Sequence, residues 1–86
     1  MNLNFTEDGW EDYLHWQQHD KKILKRLNGL IQATMRDPFS GPGKPEPLKF
    51  NLLGWWSRRI TAEHRLVYRV EENNLYIMNC RFHYNP

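Results

Sequence analysis

Apolar positions in the first third of the chain follow two rhythms. Residues 2–6 alternate, with Leu3 and Phe5 on either side of Asn4, and predict a short strand. Thr6 then stands where a helix N-cap belongs, ahead of an acidic first turn, Glu7-Asp8, suited to the positive end of a helix dipole. Trp10, Tyr13, Leu14 and Gln17 recur at helical spacing with Trp16 alongside, so the aromatic stripe of a first helix is expected to face inward. Asp20 restarts the chain as the N-cap of a second helix. There Ile23, Leu24, Leu27, Leu30 and Ile31 make the buried stripe, and Lys21, Lys22, Lys25 and Arg26 lie mostly outside, up to Arg36. Two antiparallel helices result, one acidic and one basic.

Asp37-Pro38 ends the second helix, and Gly41, Pro42, Gly43, Pro45 and Pro47 make the next stretch a stiffened loop. The helical period then disappears, and residues 48–51, 55–60, 64–70 and 75–83 predict strands. Thr61-Ala62-Glu63 and Glu72-Asn73-Asn74 fit three-residue hairpin loops, which put the odd positions of the last three strands on one face. The even face would carry Trp56, Ile60, Leu66, Tyr68, Val70, Tyr76, Met78, Cys80 and Phe82 under the helices. The odd face would show Ser57, Arg59, Arg65, Arg69, Asn79, Arg81 and His83, with Val67 and Ile77 as its apolar members. A two- or four-residue loop would break this grouping. The predicted class is α+β: two N-terminal antiparallel helices on one face of a mainly antiparallel four- to five-stranded sheet, in a single domain over residues 1–86.

Composition narrows what such a domain can do. With 86 residues, 40% of them hydrophobic, the chain can bury one core, on the order of 60% of its unfolded surface. Four Trp, four Tyr and four Phe make that core feasible without staples, and Cys80, the one cysteine, allows no disulfide within the chain. A lone cysteine and a start without a basic or apolar run imply a soluble, cytoplasmic protein, and the nearly apolar stretch at residues 52–56 is far too short to cross a bilayer. The net charge is only +2, but residues 1–20 hold five acidic and no basic side chains, whereas residues 21–69 hold eleven basic and three acidic ones. A basic middle suits a polyanion.

The residues that could carry chemistry fit RNA cleavage by an attacking ribose 2′-hydroxyl. That reaction needs a proton acceptor, a proton donor for the departing 5′-oxygen, and cations for the charge that builds on the phosphoryl oxygens. Glu46, held between Pro45 and Pro47, offers a carboxylate on a rigid loop, and His83 offers an imidazole, the side chain suited to proton exchange near neutral pH. Arg59 and Arg65 can grip phosphate oxygens bidentately, and Lys49 adds a point charge close to Glu46. Tyr84, Trp55 and Phe50 are candidates for stacking on unpaired bases, though for Trp55 core packing competes. Ordinary surface roles are the alternative for each of these charged groups. Other motifs fail: Gly43-Lys44 lacks the upstream glycine of a phosphate loop, His15 and His19 have no supporting metal ligand, and Cys80 sits between apolar neighbours without a base partner. No metal and no cofactor are therefore assigned.

The run Gly41-Pro42-Gly43-Lys44-Pro45-Glu46-Pro47-Leu48-Lys49, then Trp56-Ser57-Arg58-Arg59-Ile60-Thr61, Glu63-His64-Arg65-Leu66-Val67-Tyr68 and the closing His83-Tyr84 closely resemble the Txe/YoeB toxins of the RelE-like superfamily. The similarity extends over nearly the whole chain, including Trp10, Tyr13, Trp16 and the Asp20-Lys21 junction. It implies a ribosome-dependent messenger-RNA endonuclease of a type II toxin–antitoxin pair, cutting translated message in the decoding A site. By the same resemblance Glu46 matches the general base, His83 the general acid and Arg65 the cation that steadies the transition state, with Lys49, Arg59 and Tyr84 at supporting positions. A YefM-like antitoxin that wraps the toxin, and a homodimer, are the implied partners. The alternatives are a non-catalytic module that inhibits translation by binding ribosomal RNA through the same basic face, and a gyrase-poisoning relative, which is expected to lack the Glu-Arg-His set.

Overall fold

The computed structural model describes residues 1–83. Its elements are β1 (Asn2–Phe5), α1 (Glu7–His19), α2 (Lys21–Arg36), β2 (Glu46–Pro47), a 3-10 turn (Phe50–Leu52), β3 (Trp56–Arg59), β4 (Arg65–Glu71) and β5 (Asn74–Asn79). The five strands form one sheet in the order β1-β5-β4-β3-β2, in which only the β1–β5 pair is parallel. Trp16 of α1 and Leu27, Leu30 and Ile31 of α2 pack with Ile60, Leu66, Tyr68, Leu75 and Ile77 in the core, so both helices cover one face of the sheet. The expected α+β class holds, and the sheet has five strands.

Both predicted caps form. Thr6 Oγ1 accepts from the Gly9 amide at 3.0 Å and donates to the Met78 carbonyl at 2.6 Å, so one hydroxyl starts α1 and ties it to β5. Asp20 Oδ1 accepts from the amides of Lys22 and Ile23, both at 3.1 Å. The aromatic stripe of α1 splits, however: Trp16 is buried while Trp10 is 47% exposed, stacked on Tyr13 and edge-on to Phe5. Six residues at about 100° each turn Trp10 roughly 120° away from Trp16, too far to share one buried line. Helix and sheet approach most closely at Gly9, where a Cβ would lie 2.6 Å from the Ile77 carbonyl oxygen.

The sheet register departs from expectation at the second hairpin. Glu71 pairs with Asn74, so the loop has two residues rather than three, and Glu72 takes a positive φ of 56°. One residue fewer reverses the faces of β5: Leu75 and Ile77 point into the core, where Tyr76 and Met78 were expected. A bulge then restores the phase. Val67 pairs with Asn79 but Tyr68 with Ile77, leaving Met78 as the extra residue, so Cys80 is buried as predicted. The last strand also stops at Asn79 instead of running to residue 83, and Phe82 is 57% exposed rather than inward. The β3–β4 hairpin follows the predicted register, with Arg59 opposite Arg65.

Residues 48–51 are not a strand. Pairing comes earlier, at Glu46–Pro47, where the proline after Glu46 favours extended backbone, and Phe50 with φ 57° turns the chain into the 3-10 element. A further surprise is Arg58, which is fully buried on the helix-covered face. Its Nε donates to the Tyr68 hydroxyl (3.2 Å), Nη1 to the Pro42 carbonyl (2.9 Å), and Nη2 to the carbonyls of Asp37 (2.6 Å) and Ser40 (2.8 Å). The guanidinium thus pins the Gly/Pro loop that delivers Glu46.

Candidate active site

Strand pairing builds the site on the face opposite the helices. Glu46 lies opposite Ser57, and Arg59 opposite Arg65, so side chains from three adjacent strands share that face. With Lys44 and His83 they line a polar cleft of about 250 Å³. Two arginines directly opposite one another repel, and among the described residues the only salt bridge is elsewhere, Arg69 to Glu71 at 3.7 Å. Three cations, Lys44, Arg59 and Arg65, gathered beside the single carboxylate of Glu46 are an arrangement that an anionic ligand would stabilise. Arg65 is held in place: its Nη1 donates to the carbonyls of Thr61 (2.6 Å), Ala62 (3.2 Å) and His64 (3.1 Å) in the β3–β4 turn. Among the described residues its Nε and Nη2 have no partner, and these donors remain for a ligand.

His83 reaches the cleft by a route the strand pattern did not foresee. Past β5, the Cys80 amide donates to Asp12 Oδ2 at 3.1 Å and its carbonyl accepts from Trp16 Nε1 at 2.8 Å, which fastens the chain to α1. Phe82 then adopts φ 63°, its amide donating to His64 Nδ1 at 2.7 Å and its carbonyl accepting from the Arg65 amide at 3.0 Å. That kink delivers His83 beside Arg65. Around this anchor, burial pushes the carboxyl of Asp12 above its usual range, although the Cys80 amide and Arg81 pull it back, and burial pushes His64 below its usual value. Burial, helped by Asp12, also pushes the Cys80 thiol up to about 12, which suits a structural cysteine.

Of the predicted site residues, the cleft gathers Glu46, Arg59, Arg65 and His83. Lys49 does not line it; it is exposed at the start of the 3-10 turn. Tyr84 lies outside the described residues. Phe50 is 82% exposed, and Trp55 is half-buried with Arg69 over its ring at 6.0 Å. Arg81 is drawn away from the expected cationic face and sits 4.5 Å over the Phe82 ring. His15 and His19 have ring centres 4.6 Å apart, and among the described residues no third ligand joins them. Lys44 also lines the cleft, and nothing periodic in the sequence marks it because its loop is irregular. Ser57 was legible from the odd-position alternation but carried no assigned role.

Two helices on one face of a five-stranded, mostly antiparallel sheet are the architecture of the RelE-like toxins. The family model for the YoeB-like toxin of bacterial type II toxin–antitoxin systems matches residues 5–84. Toxin YoeB of Synechocystis sp. is 63% identical over 84 residues, covering 98% of both chains. The YoeB/ParE toxin from Agrobacterium tumefaciens superposes with a TM-score of 0.95 at 51% identity, over 98% of this chain and all of that one. The Staphylococcus aureus YoeB, solved as a dimer and in a YoeB–YefM complex, superposes with TM-scores of 0.90 at 47% and 46% identity, over 98% of each chain. The chain belongs to the YoeB-like toxin family.

Proposed function

We propose that this toxin is a ribosome-dependent endoribonuclease that cuts translated message in the A site. The observation that carries the reading is the convergence of Glu46, Arg59, Arg65 and His83 on one cleft. Glu46 accepts the ribose 2′-hydroxyl proton, and the 2′-oxygen attacks the adjacent phosphorus. As the bond from phosphorus to the 5′-oxygen breaks, His83 protonates that oxygen, leaving a 2′,3′-cyclic phosphate and a 5′-hydroxyl end. Arg65, with Arg59 beside it, takes the charge that builds on the non-bridging oxygens, and Lys44 adds a further cation. Lys49 would act on the message outside this centre, and Tyr84 would support RNA binding. The protein's own groups supply every proton transfer, so no resident metal is needed.

A YefM-like antitoxin that covers the cleft, and a homodimer, are the partners this reading implies, in keeping with the complex and the dimer formed by the Staphylococcus aureus relative. The site of action is the cytoplasm, where ribosomes are; among the described residues no helix is long and apolar enough to cross a membrane. The test is to incubate programmed ribosomes with the parental protein and with Glu46→Ala and His83→Ala, then sequence the 5′ ends. Each substitution is expected to slow cutting by roughly 10²–10⁴-fold while the protein stays folded. Translation inhibited without new RNA ends would favour the ribosomal-RNA-binding alternative, and parental rates in both variants would refute the assigned roles.

A further inference from the structure

Beyond the cleft residues themselves, one histidine outside the cleft controls how the last of them is presented. We propose that His64 is a positioning residue: its Nδ1 captures the Phe82 amide and thereby holds the backbone kink that sets His83 in the cleft. The proposal rests on the reading of His83 as the proton donor. A bulky residue at positive φ is strained and persists only where its surroundings over-determine it. Phe82 is such a residue, with φ 63°. Its ring is 57% exposed, so burial of the ring does not explain the kink. Its backbone does: the amide is taken by His64 Nδ1 at 2.7 Å and the carbonyl by the Arg65 amide at 3.0 Å. His64, just before β4, and Arg65, its first residue, thus hold both polar groups of the peptide units around Phe82, and Arg65 also supplies the cleft guanidinium.

The imidazole is itself held at a fixed angle. It stands edge-on to buried Trp16, with ring centres 4.7 Å apart, and tilted against Phe82 at 5.6 Å. Accepting at Nδ1 requires that nitrogen to be bare, so the neutral ring carries its proton on Nε2. A charged ring has two donors and loses the bond. Burial disfavours the charged form most; Glu63 favours it, while Arg81, His83, Arg65 and, from α1, His15 disfavour it. The local field therefore keeps the acceptor available at neutral pH. The Phe82 amide lies near solvent, so losing the bond releases it to water, and the expected consequence is misplacement of His83 rather than unfolding.

His64→Phe keeps a ring against Trp16 but removes the acceptor, and His64→Asn restores one near the Nδ1 position. Single-turnover cleavage on programmed ribosomes, with parent and His83→Ala alongside, should show His64→Phe slowed by about 10²-fold with little change in half-saturating toxin. His64→Asn should recover to within about threefold of parent, and its rate relative to parent should rise from about pH 7.5 to about pH 5.5, since Asn does not titrate. A parental rate in His64→Phe, or an Asn variant as slow as the Phe variant, would each overturn the proposal. Should either variant fail to fold, the parent decides: the Phe82 amide resonance should move with His64 titration, and one indifferent to it overturns the role. If His83→Ala cuts at the parental rate, the reading of His83 fails first, and that outcome is separate.

Discussion

Replacing Arg58 should destabilise the fold in an order opposite to chemical conservatism. The side chain is fully buried and donates to Tyr68, Pro42, Asp37 and Ser40, with no carboxylate in contact among these partners. Bonds from a charged donor contribute roughly 1.5–3 kcal/mol each, so four are worth at least about 6 kcal/mol before the cost of stripping water from the guanidinium, several kcal/mol, is counted. Arg58→Met removes bonds and desolvation cost together. The Asp37, Ser40 and Pro42 residues lie in an exposed loop where freed carbonyls regain water, so the net loss should be about 2–3 kcal/mol. Arg58→Lys keeps the buried charge, but a compact ammonium cannot span partners that a planar fork reaches. It should lose about 1–2 kcal/mol more than the Met variant. Urea unfolding followed by tryptophan fluorescence measures both, since losses of about 3–5 kcal/mol leave a domain in the middle of the ordinary range, about 5–15 kcal/mol, folded in water. A Met variant within about 0.5 kcal/mol of parent would refute the claim that this guanidinium organises the loop. A Lys variant more stable than the Met variant would refute the geometric argument.

Three other outcomes are expected. Gly9→Ala puts a methyl 2.6 Å from the Ile77 carbonyl oxygen, a backbone atom that cannot swing away, and should cost about 1–3 kcal/mol in the same unfolding assay; a neutral result would mean that α1 shifts freely over β5. Because burial holds His64 below its ordinary value of 6.5, the folded state binds fewer protons than the unfolded chain between the two values. The stability His64 contributes is full above about pH 6.5 and declines as pH falls through that value, so urea midpoints at about pH 7.5 and 5.5 should differ less in His64→Asn than in parent. Equal differences would contradict the shift. Cys80, buried with its thiol pushed up to about 12, should react with a thiol reagent on the order of 10³-fold more slowly in the native protein than in urea; prompt native labelling would show that α1 opens readily.

The site was legible in unequal parts. Ser57, Arg59 and Arg65 could be grouped because the β3–β4 hairpin obeys simple alternation, and Glu46 stood out between its prolines. Alternation places His83 with them only on a continuous strand to residue 83, which the structure does not have. The chain instead leaves the sheet at Asn79, and contacts from Asp12, Trp16, His64 and Arg65 redirect it. Those partners are far away in sequence, so no local pattern announces them. Arg58 shows the same limit: its neighbours read as an ordinary strand, and nothing local says that loop carbonyls will surround its side chain.

What the sequence determined by itself was local: the capped helices, the stiff proline loop, the hairpin arginines and the inventory of acid, imidazole and cations. Each follows from propensity or spacing within a few residues. Only the tertiary structure decided the faces of β5, because a two-residue turn and the bulge at Met78 each reverse the alternation and only packing against the helices selects where they fall. It also decided that Lys44 rather than Lys49 borders the cleft, since Phe50 at positive φ turns the chain away after β2. Convergence of distant segments is set by which buried surfaces fit together, a property of the whole chain that no short stretch of it contains.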